Sequence, residues 1–114
     1  MAETRDVAVV ILSTASSPEE GDRLAHALVD ERLAACVSQI PGVKSRYRWQ
    51  GEVVEGQEVM LVIKSLASRS PEITRRLREL HSYEVPEILV VPAAAGLPAY
   101  LDWLRTETTP ENPS

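Results

Sequence analysis

The chain has 114 residues and a mass of 12.6 kDa, and 44% of its residues are hydrophobic and 25% are charged. That is enough sequence for one globular domain with its own core and too little for two. The 17 acidic residues outnumber the 12 basic ones, so the net charge is -5 and the pI about 5.0, which argues against nucleic acid as a partner.

Neither a secreted nor a membrane protein is expected. The single cysteine, Cys36, cannot form an internal disulfide, and the polar residues 1–6 do not begin a signal peptide, so we expect a cytoplasmic protein. The longest apolar run, Val7–Leu12, is far shorter than the roughly 20 residues of a membrane-spanning helix.

The first half of the chain predicts a strand, a helix and a hairpin. The β-branched run Val7–Leu12 is typical of a central strand, and Ser17, followed by proline and then glutamate, predicts a capped helix that ends near Leu33. Its apolar stripe comprises Leu24, Ala25, Leu28 and Val29. A long strand from Cys36 to Val54, kinked at Pro41-Gly42, a turn at Glu55-Gly56 and a returning strand over Val59–Ile63 complete the hairpin.

The second half predicts a helix, a strand and a helix. Ser70-Pro71 repeats the serine-proline start of the first helix, Ile88–Val91 is a fourth strand, and Pro98 begins a short helix. The order β-α-β-β-α-β plus a terminal helix predicts an α+β fold of the ferredoxin-like split β-α-β type. We expect one domain over residues 1–114, with an ordered core of about 6–106 and a flexible tail over 107–114.

Several side chains allow both a structural and a functional interpretation. Tyr47 and Trp49 share one face of the long strand, where they either pack in the core or contact another subunit. Lys64 either extends to solvent or presents a cation to an anion, whereas Cys36 fits a small buried hydrophobe. Tyr100 and Trp103, at helical spacing, favour packing.

The segment His81–Glu87 concentrates polar chemistry on one predicted loop. It carries an imidazole, the phenol of Tyr83 and the carboxylates of Glu84 and Glu87. Imidazole with carboxylates suits a divalent metal ion, but one imidazole does not make a metal site, so a capping or exposed histidine stays an alternative.

Several segments together resemble the CutA divalent-cation tolerance proteins, over Val7 to about Thr106. In chain order they are Leu33-Ala34-Ala35-Cys36-Val37, Ile40-Pro41-Gly42-Val43, Tyr47-Arg48-Trp49-Gln50-Gly51, Val62-Ile63-Lys64, His81-Ser82-Tyr83-Glu84-Val85-Pro86-Glu87-Ile88 and Tyr100-Leu101-Asp102-Trp103-Leu104. The resemblance implies a ferredoxin-like protomer in a homotrimer, similar in architecture to the PII-type signalling proteins, and a link to copper and other divalent cations.

The resemblance also implies a cleft between subunits. The positions that match it are Trp49, Lys64, His81, Tyr83, Glu84, Glu87, Tyr100 and Trp103. Where a copper site has been proposed in the family, a cysteine and two adjacent histidines supply it, and those positions are Ser13, Leu80 and His81 in this chain. His81 is thus the candidate ligand for Cu2+ or another divalent cation, and loss of the soft ligand predicts weaker copper binding. A cleft ligand is better supported than a copper site.

Three functions follow as hypotheses. The leading one is a non-catalytic homotrimer for divalent-cation tolerance or small-ligand sensing, with ligands at subunit boundaries, no required cofactor, and neither nucleic acid nor membrane as a partner. The second is a PII-like signalling or scaffold protein without a physiological metal role. The third is an enzyme that uses His81 as acid or base with Glu84 or Glu87, and it lacks an evident nucleophile.

Overall fold

The computed structural model describes residues 6–109, which form a four-stranded antiparallel sheet and three α-helices. The elements are β1 (Ala8–Ala15), α1 (Pro18–Asp30), β2 (Cys36–Trp49), β3 (Glu52–Leu66), α2 (Ser70–Leu80), β4 (Leu89–Pro92) and α3 (Pro98–Thr108), with one 3-10 turn at Ala67–Arg69. The sheet order is β2-β3-β1-β4, so the predicted split β-α-β topology is confirmed and β1 is a central strand. No helix within this range is long and apolar enough to cross a membrane.

The main core lies between one face of the sheet and the helices α1 and α2. Alternate residues of the central strands, such as Ile11 and Ile63, are fully buried against Leu28 of α1 and Leu77 of α2. A smaller core on the other face joins α3, through Leu104, to the far end of the sheet. The rest of that second face is not covered by a helix, and we call it the open face.

Half of the long hairpin projects beyond the sheet. The last pair of β1 with β3 is Ala15 with Val59, so residues 43–58, called here the hairpin arm, pair only with each other. The molecule measures 51 × 30 × 22 Å, and its radius of gyration of 15.4 Å exceeds the roughly 13 Å of a compact chain of this length. Tyr47 and Trp49 are 46% and 44% exposed on the arm, so their packing in the core of this chain is ruled out.

The predicted turn at Glu55-Gly56 is wrong. The chain reverses at Gln50-Gly51, where φ is 50° and 82°, and two successive positive φ angles match the right-handed twist of a two-residue hairpin. Glu55 instead lies within β3, where it pairs with Arg46 of β2. The kink at Pro41-Gly42 is confirmed, because the register shifts between Ile40 and Val43.

Helices α1 and α2 differ from prediction in one boundary, one side chain and one cap. Helix α1 has the predicted Ser17 cap, whose side chain accepts a hydrogen bond from the Glu20 N–H at 3.1 Å, but it ends at Asp30, because the next turn closes through Arg32 at a φ of 59°. Val29 is 44% exposed and lies outside the apolar stripe. Helix α2 begins at Ser70 with Pro71 in its first turn, as the serine-proline pattern predicts, but it has no side-chain cap like that of Ser17.

Helix α3 continues into the segment that the sequence assigned to a flexible tail. It includes Glu107 and Thr108, and the hydroxyl-bearing Thr108 is buried. The Arg69 guanidinium donates two hydrogen bonds, of 2.9 and 2.8 Å, to the Thr108 carbonyl and so satisfies the end of the helix. Residues 110–114 of the predicted tail lie outside the described residues.

Candidate functional site

A cleft of about 640 Å³ opens between the hairpin arm and the 81–88 loop, which joins α2 to β4. It is lined by Thr14 of β1, by Ser45, Arg46, Tyr47, Trp49 and Glu58 of the arm, and by Ser82, Tyr83, Glu84, Val85 and Glu87 of the loop. Four residues that the sequence nominated for a cleft, Trp49, Tyr83, Glu84 and Glu87, therefore lie around one space.

Tyr83 joins the loop to the arm. Its phenol O–H donates a hydrogen bond of 2.7 Å to Glu58 Oε2. Burial of the ring, followed by this hydrogen bond to the carboxylate, raises the pKa of Tyr83 above its usual range. The phenol therefore stays protonated at neutral pH and keeps the cleft wall attached to the arm.

His81 fastens the start of the loop to the body of the protein. Its side chain is 0% exposed, its Nε2 lies 2.6 Å from the Thr14 carbonyl oxygen, and its Nδ1 accepts a hydrogen bond of 3.0 Å from the Tyr83 N–H. Since a carbonyl can only accept, Nε2 carries the proton and the imidazole is neutral in this arrangement. Both ring nitrogens are engaged, so a metal ion bound at His81 would have to displace one of these hydrogen bonds.

Glu20 is a site residue that the sequence did not reveal. Its carboxylate, in a residue only 3% exposed, accepts hydrogen bonds from the N–H and hydroxyl of Ser16, both at 2.8 Å, and from the Ser82 N–H at 2.7 Å. Burial alone would raise the pKa of Glu20, but the hydrogen bonds from Ser16 and Ser82 outweigh it and lower that pKa to about 2. The ionised carboxylate thus ties α1 to the loop.

The remaining nominated residues lie at the other end of the sheet. Lys64 pairs with Cys36 across the β2–β3 ladder, and its ammonium lies 2.5 Å from Ser38 Oγ and 3.7 Å from Cys36 Sγ. The rings of Tyr100 and Trp103 on α3 are 5.5 Å apart, and burial together with the nearby Cys36 raises the pKa of Tyr100. In one chain, therefore, these three nominated residues do not line the cleft.

The positions relevant to a metal ion do not form a set of metal ligands among the described residues. Ser13 is fully buried in β1, and its hydroxyl has no hydrogen-bond partner among the described residues. Leu80 packs against the main core, and His81 is engaged as described. Within residues 6–109, no three side chains of histidine, cysteine, aspartate or glutamate converge on a point that could hold a metal ion.

Sequence reasoning missed three residues of the cleft and its support. Glu58 and Tyr47 reach the cleft through the register of the arm, and the predicted kink at Pro41-Gly42 does not by itself fix that register. The sequence pattern assigned Glu20 only to the cap of helix α1, as a glutamate three residues after the capping serine. That pattern does not predict the contact of Glu20 with Ser82, 62 positions away.

These features define a small α+β protein with one antiparallel sheet and a polar, aromatic cleft at the base of a hairpin arm. A family model described as CutA1 divalent ion tolerance protein matches residues 9–107. The divalent-cation tolerance protein CutA of Thermus thermophilus is 52% identical over 99 residues, which are 87% of this chain and 96% of that protein.

Solved structures agree with the family model. The structure of the divalent cation tolerance protein from Thermus thermophilus is 50% identical and superposes with a TM-score of 0.87 over 90% of this chain and 99% of that one. CutA1 from Oryza sativa is 36% identical, with a TM-score of 0.89 over 94% and 98% of the two chains. The chain belongs to the CutA1 divalent ion tolerance family.

Proposed function

We propose that this chain is a non-catalytic homotrimer for divalent-ion tolerance, with small ligands bound in clefts between neighbouring subunits. The observation that carries the proposal is the division of the nominated cleft residues between the two ends of one sheet. Glu58 and Lys64 belong to the same alternating set of β3, opposite the buried set of Val59, Leu61 and Ile63. Both therefore lie on the open face, yet six residues separate them, which is about 20 Å of strand.

A second copy would remove that separation. If the arm of one chain lies over the open face of its neighbour, the acidic cleft of the first approaches the Lys64 end of the second. Lys64 forms no ion pair within residues 6–109, so the charge of its ammonium is not balanced by a carboxylate there and can be balanced by a partner or a ligand. Binding sites at such subunit boundaries are common.

Exposed apolar surface supports assembly of copies of this chain. Leu89, Val90 and Val91 of β4 are 57%, 43% and 46% exposed, and β4 pairs with β1 along one side only. An apolar edge strand of this kind invites association with another chain. The arm also favours association with another chain, because a two-stranded ribbon has little stability alone. The number of three subunits follows from the family resemblance.

The small-ligand form of the proposal has more support than the metal form. A metal ion at His81 remains a prediction, but it would have to displace a hydrogen bond of a fully buried ring. The same geometry weighs against His81 as an enzymatic acid or base, since neither nitrogen faces the cleft with a free proton or lone pair. The cytoplasmic location is also part of this proposal.

Light scattering of the purified protein tests the assembly. We expect three times the chain mass at micromolar concentration and loss of the trimer in Val91→Asp, because the added charge would be buried at the interface. Val29→Asp is the matched control: Val29 is 44% exposed on α1, away from the open face, and its substitution should leave the trimer intact. A monomeric wild-type protein would overturn the proposal.

Lys64→Met separates a ligand role from a structural one. We expect this variant to remain trimeric with a change in stability of no more than about 1 kcal/mol, because a half-buried ammonium contributes little net stability. Binding of an anion at Lys64 itself, on the opposite side of the subunit boundary from the acidic cleft residues, should weaken tenfold or more. If the variant dissociates or unfolds instead, Lys64 is an interface residue and not a ligand-binding one.

A further inference from the structure

The cleft has aromatic walls on both sides. Tyr47 and Trp49 are nearly half exposed on the arm, and Tyr83 lines the cleft from the loop. Because the Tyr83 hydroxyl is held by Glu58, the ring is fixed in place before any ligand arrives. Faces of tyrosine and tryptophan rings attract cations through their electron-rich π systems.

The charge of the lining is negative. Glu58, Glu84 and Glu87 face a single basic residue, Arg46, whose guanidinium is already paired with Glu55 at 2.6 Å. None of the three carboxylates makes an ion pair within the described part of the chain. The part of the lining that one chain supplies therefore favours a positive ligand.

The spacing of these groups does not suit a bare metal ion. A divalent ion needs several ligand atoms at about 2.0–2.6 Å, whereas no three acidic, histidine or cysteine side chains converge within residues 6–109. Carboxylates dispersed among ring faces instead surround a larger volume, and the 640 Å³ of the cleft lies in the usual range for organic ligands.

We propose that the cleft binds an organic ammonium cation, a ligand whose positively charged nitrogen carries methyl or methylene groups. The alkyl groups pack against Trp49 and Tyr47, and the carboxylates of Glu84 and Glu87 balance the charge without direct coordination. This inference rests on the proposed function only for the premise that the cleft is a ligand site.

Choline is the test probe, and 3,3-dimethylbutan-1-ol is its uncharged isostere. Titration calorimetry of the full-length protein at constant ionic strength should show saturable binding of choline at least tenfold tighter than binding of the alcohol, because only choline carries the charge. Equal affinity for the two compounds, or no saturable binding of choline, would overturn the inference.

Matched variants locate the site. Trp49→Leu and Glu87→Gln should each weaken choline binding fivefold or more, whereas Glu72→Gln, an exposed carboxylate on α2 outside the cleft, should leave it unchanged. Circular dichroism of each variant checks that it is folded. Equal weakening in Glu72→Gln would show attraction by the overall charge of the protein and would refute a site in the cleft.

The failures of this inference and of the proposed function can be told apart. A trimer that does not bind choline refutes the ammonium ligand alone, and a monomer that binds choline refutes the assembly alone. Lys64→Met gives a further distinction. It should leave choline binding unchanged or strengthen it, because removing a neighbouring cation cannot weaken a cation site. Weaker choline binding in this variant would contradict the inference.

Discussion

The body of the protein and its hairpin arm differ in what holds them together. In the body, Leu28, Ile63 and Leu77 are fully buried between the sheet and two helices, so apolar burial within one chain stabilises it. On the arm, Tyr47 and Val53 are 46% and 57% exposed, and the strands are connected by the ladder of β2 with β3 and by the exposed ion pair of Arg46 with Glu55. The body is therefore stable through contacts within one chain, whereas the side chains of the arm are arranged for contacts outside it.

The largest difference between the two regions should appear on truncation of an apolar side chain. Leu77→Ala leaves a cavity in the main core and should lower the free energy of unfolding by about 2–5 kcal/mol. Val53→Ala, on the arm, should change it by less than about 0.5 kcal/mol within a folded protomer. Denaturant unfolding at a fixed protein concentration measures both.

Assembly adds a second readout to this pair of variants. If neighbours cover the arm, Val53→Ala should shift the concentration at which the trimer dissociates more than it shifts the unfolding of the protomer. An equal decrease in the free energy of unfolding for Leu77→Ala and Val53→Ala would contradict the division into body and arm.

Glu20 lies where the body meets the cleft loop, and its substitution tests that junction. Glu20→Gln should lower stability at pH 7 by on the order of 2–3 kcal/mol, because the carboxylate accepts several hydrogen bonds and its pKa is lowered to about 2 from an ordinary value of 4.5. A lowered pKa stabilises the folded state above pH 4.5, and that stability is lost as the pH falls toward 2. The difference in the free energy of unfolding between wild type and variant should therefore decrease as the pH falls from 4.5 toward 2, as measured by urea unfolding at several pH values.

The exposed pair Arg75 and Glu79 supplies the control for Glu20. Their side chains are 60% and 47% exposed, so Glu79→Gln should cost less than about 0.5 kcal/mol at any pH. If the difference in the free energy of unfolding between wild type and Glu20→Gln does not depend on pH, the buried carboxylate is not what links α1 to the loop.

Copper titration compares a buried imidazole with an exposed one. His26 is 80% exposed on α1, whereas both nitrogens of His81 are hydrogen-bonded inside the protein. We expect His26→Ala to weaken the binding of Cu2+ about tenfold and His81→Ala to weaken it less, since copper needs an accessible lone pair. Loss of the tightest site in His81→Ala, in a variant that is still folded, would restore His81 as the metal ligand.

The smallest effect concerns two serines within the body. Ser65 donates a hydrogen bond of 2.6 Å to the Leu33 carbonyl, whereas the buried Ser13 hydroxyl has no partner within residues 6–109. Ser13→Ala should raise stability by about 1 kcal/mol, and Ser65→Ala should lower it by about 1 kcal/mol. Thermal unfolding shows whether each substitution raises or lowers stability. Destabilisation by Ser13→Ala would mean that the Ser13 hydroxyl of the wild-type protein has a hydrogen-bond partner in solution.

Most of the fold could be predicted because its signals are local. The capping serine at position 17, the β-branched run at the start of β1 and the proline at the start of α3 each act within a few residues of themselves. The predicted turn at Glu55-Gly56 was wrong for the same reason, because it rested on a local signal alone. Glu55-Gly56 is a good local turn, but pairing of that segment with Arg46 and Ser45 in the β2–β3 ladder outweighs it.

Residue patterns alone predict the order of the elements, the apolar set of the main core and the location of Tyr83, Glu84 and Glu87 in one polar loop, because periodicity and chain proximity encode these features. The folded chain was needed to show that Glu58 contacts Tyr83, that Glu20 supports the loop, and that Lys64 lies far from the cleft of its own chain. Those relations depend on strand register and on contacts between distant segments, and a one-residue change in the register of β3 would move the Glu58 and Lys64 side chains to the other face of the sheet.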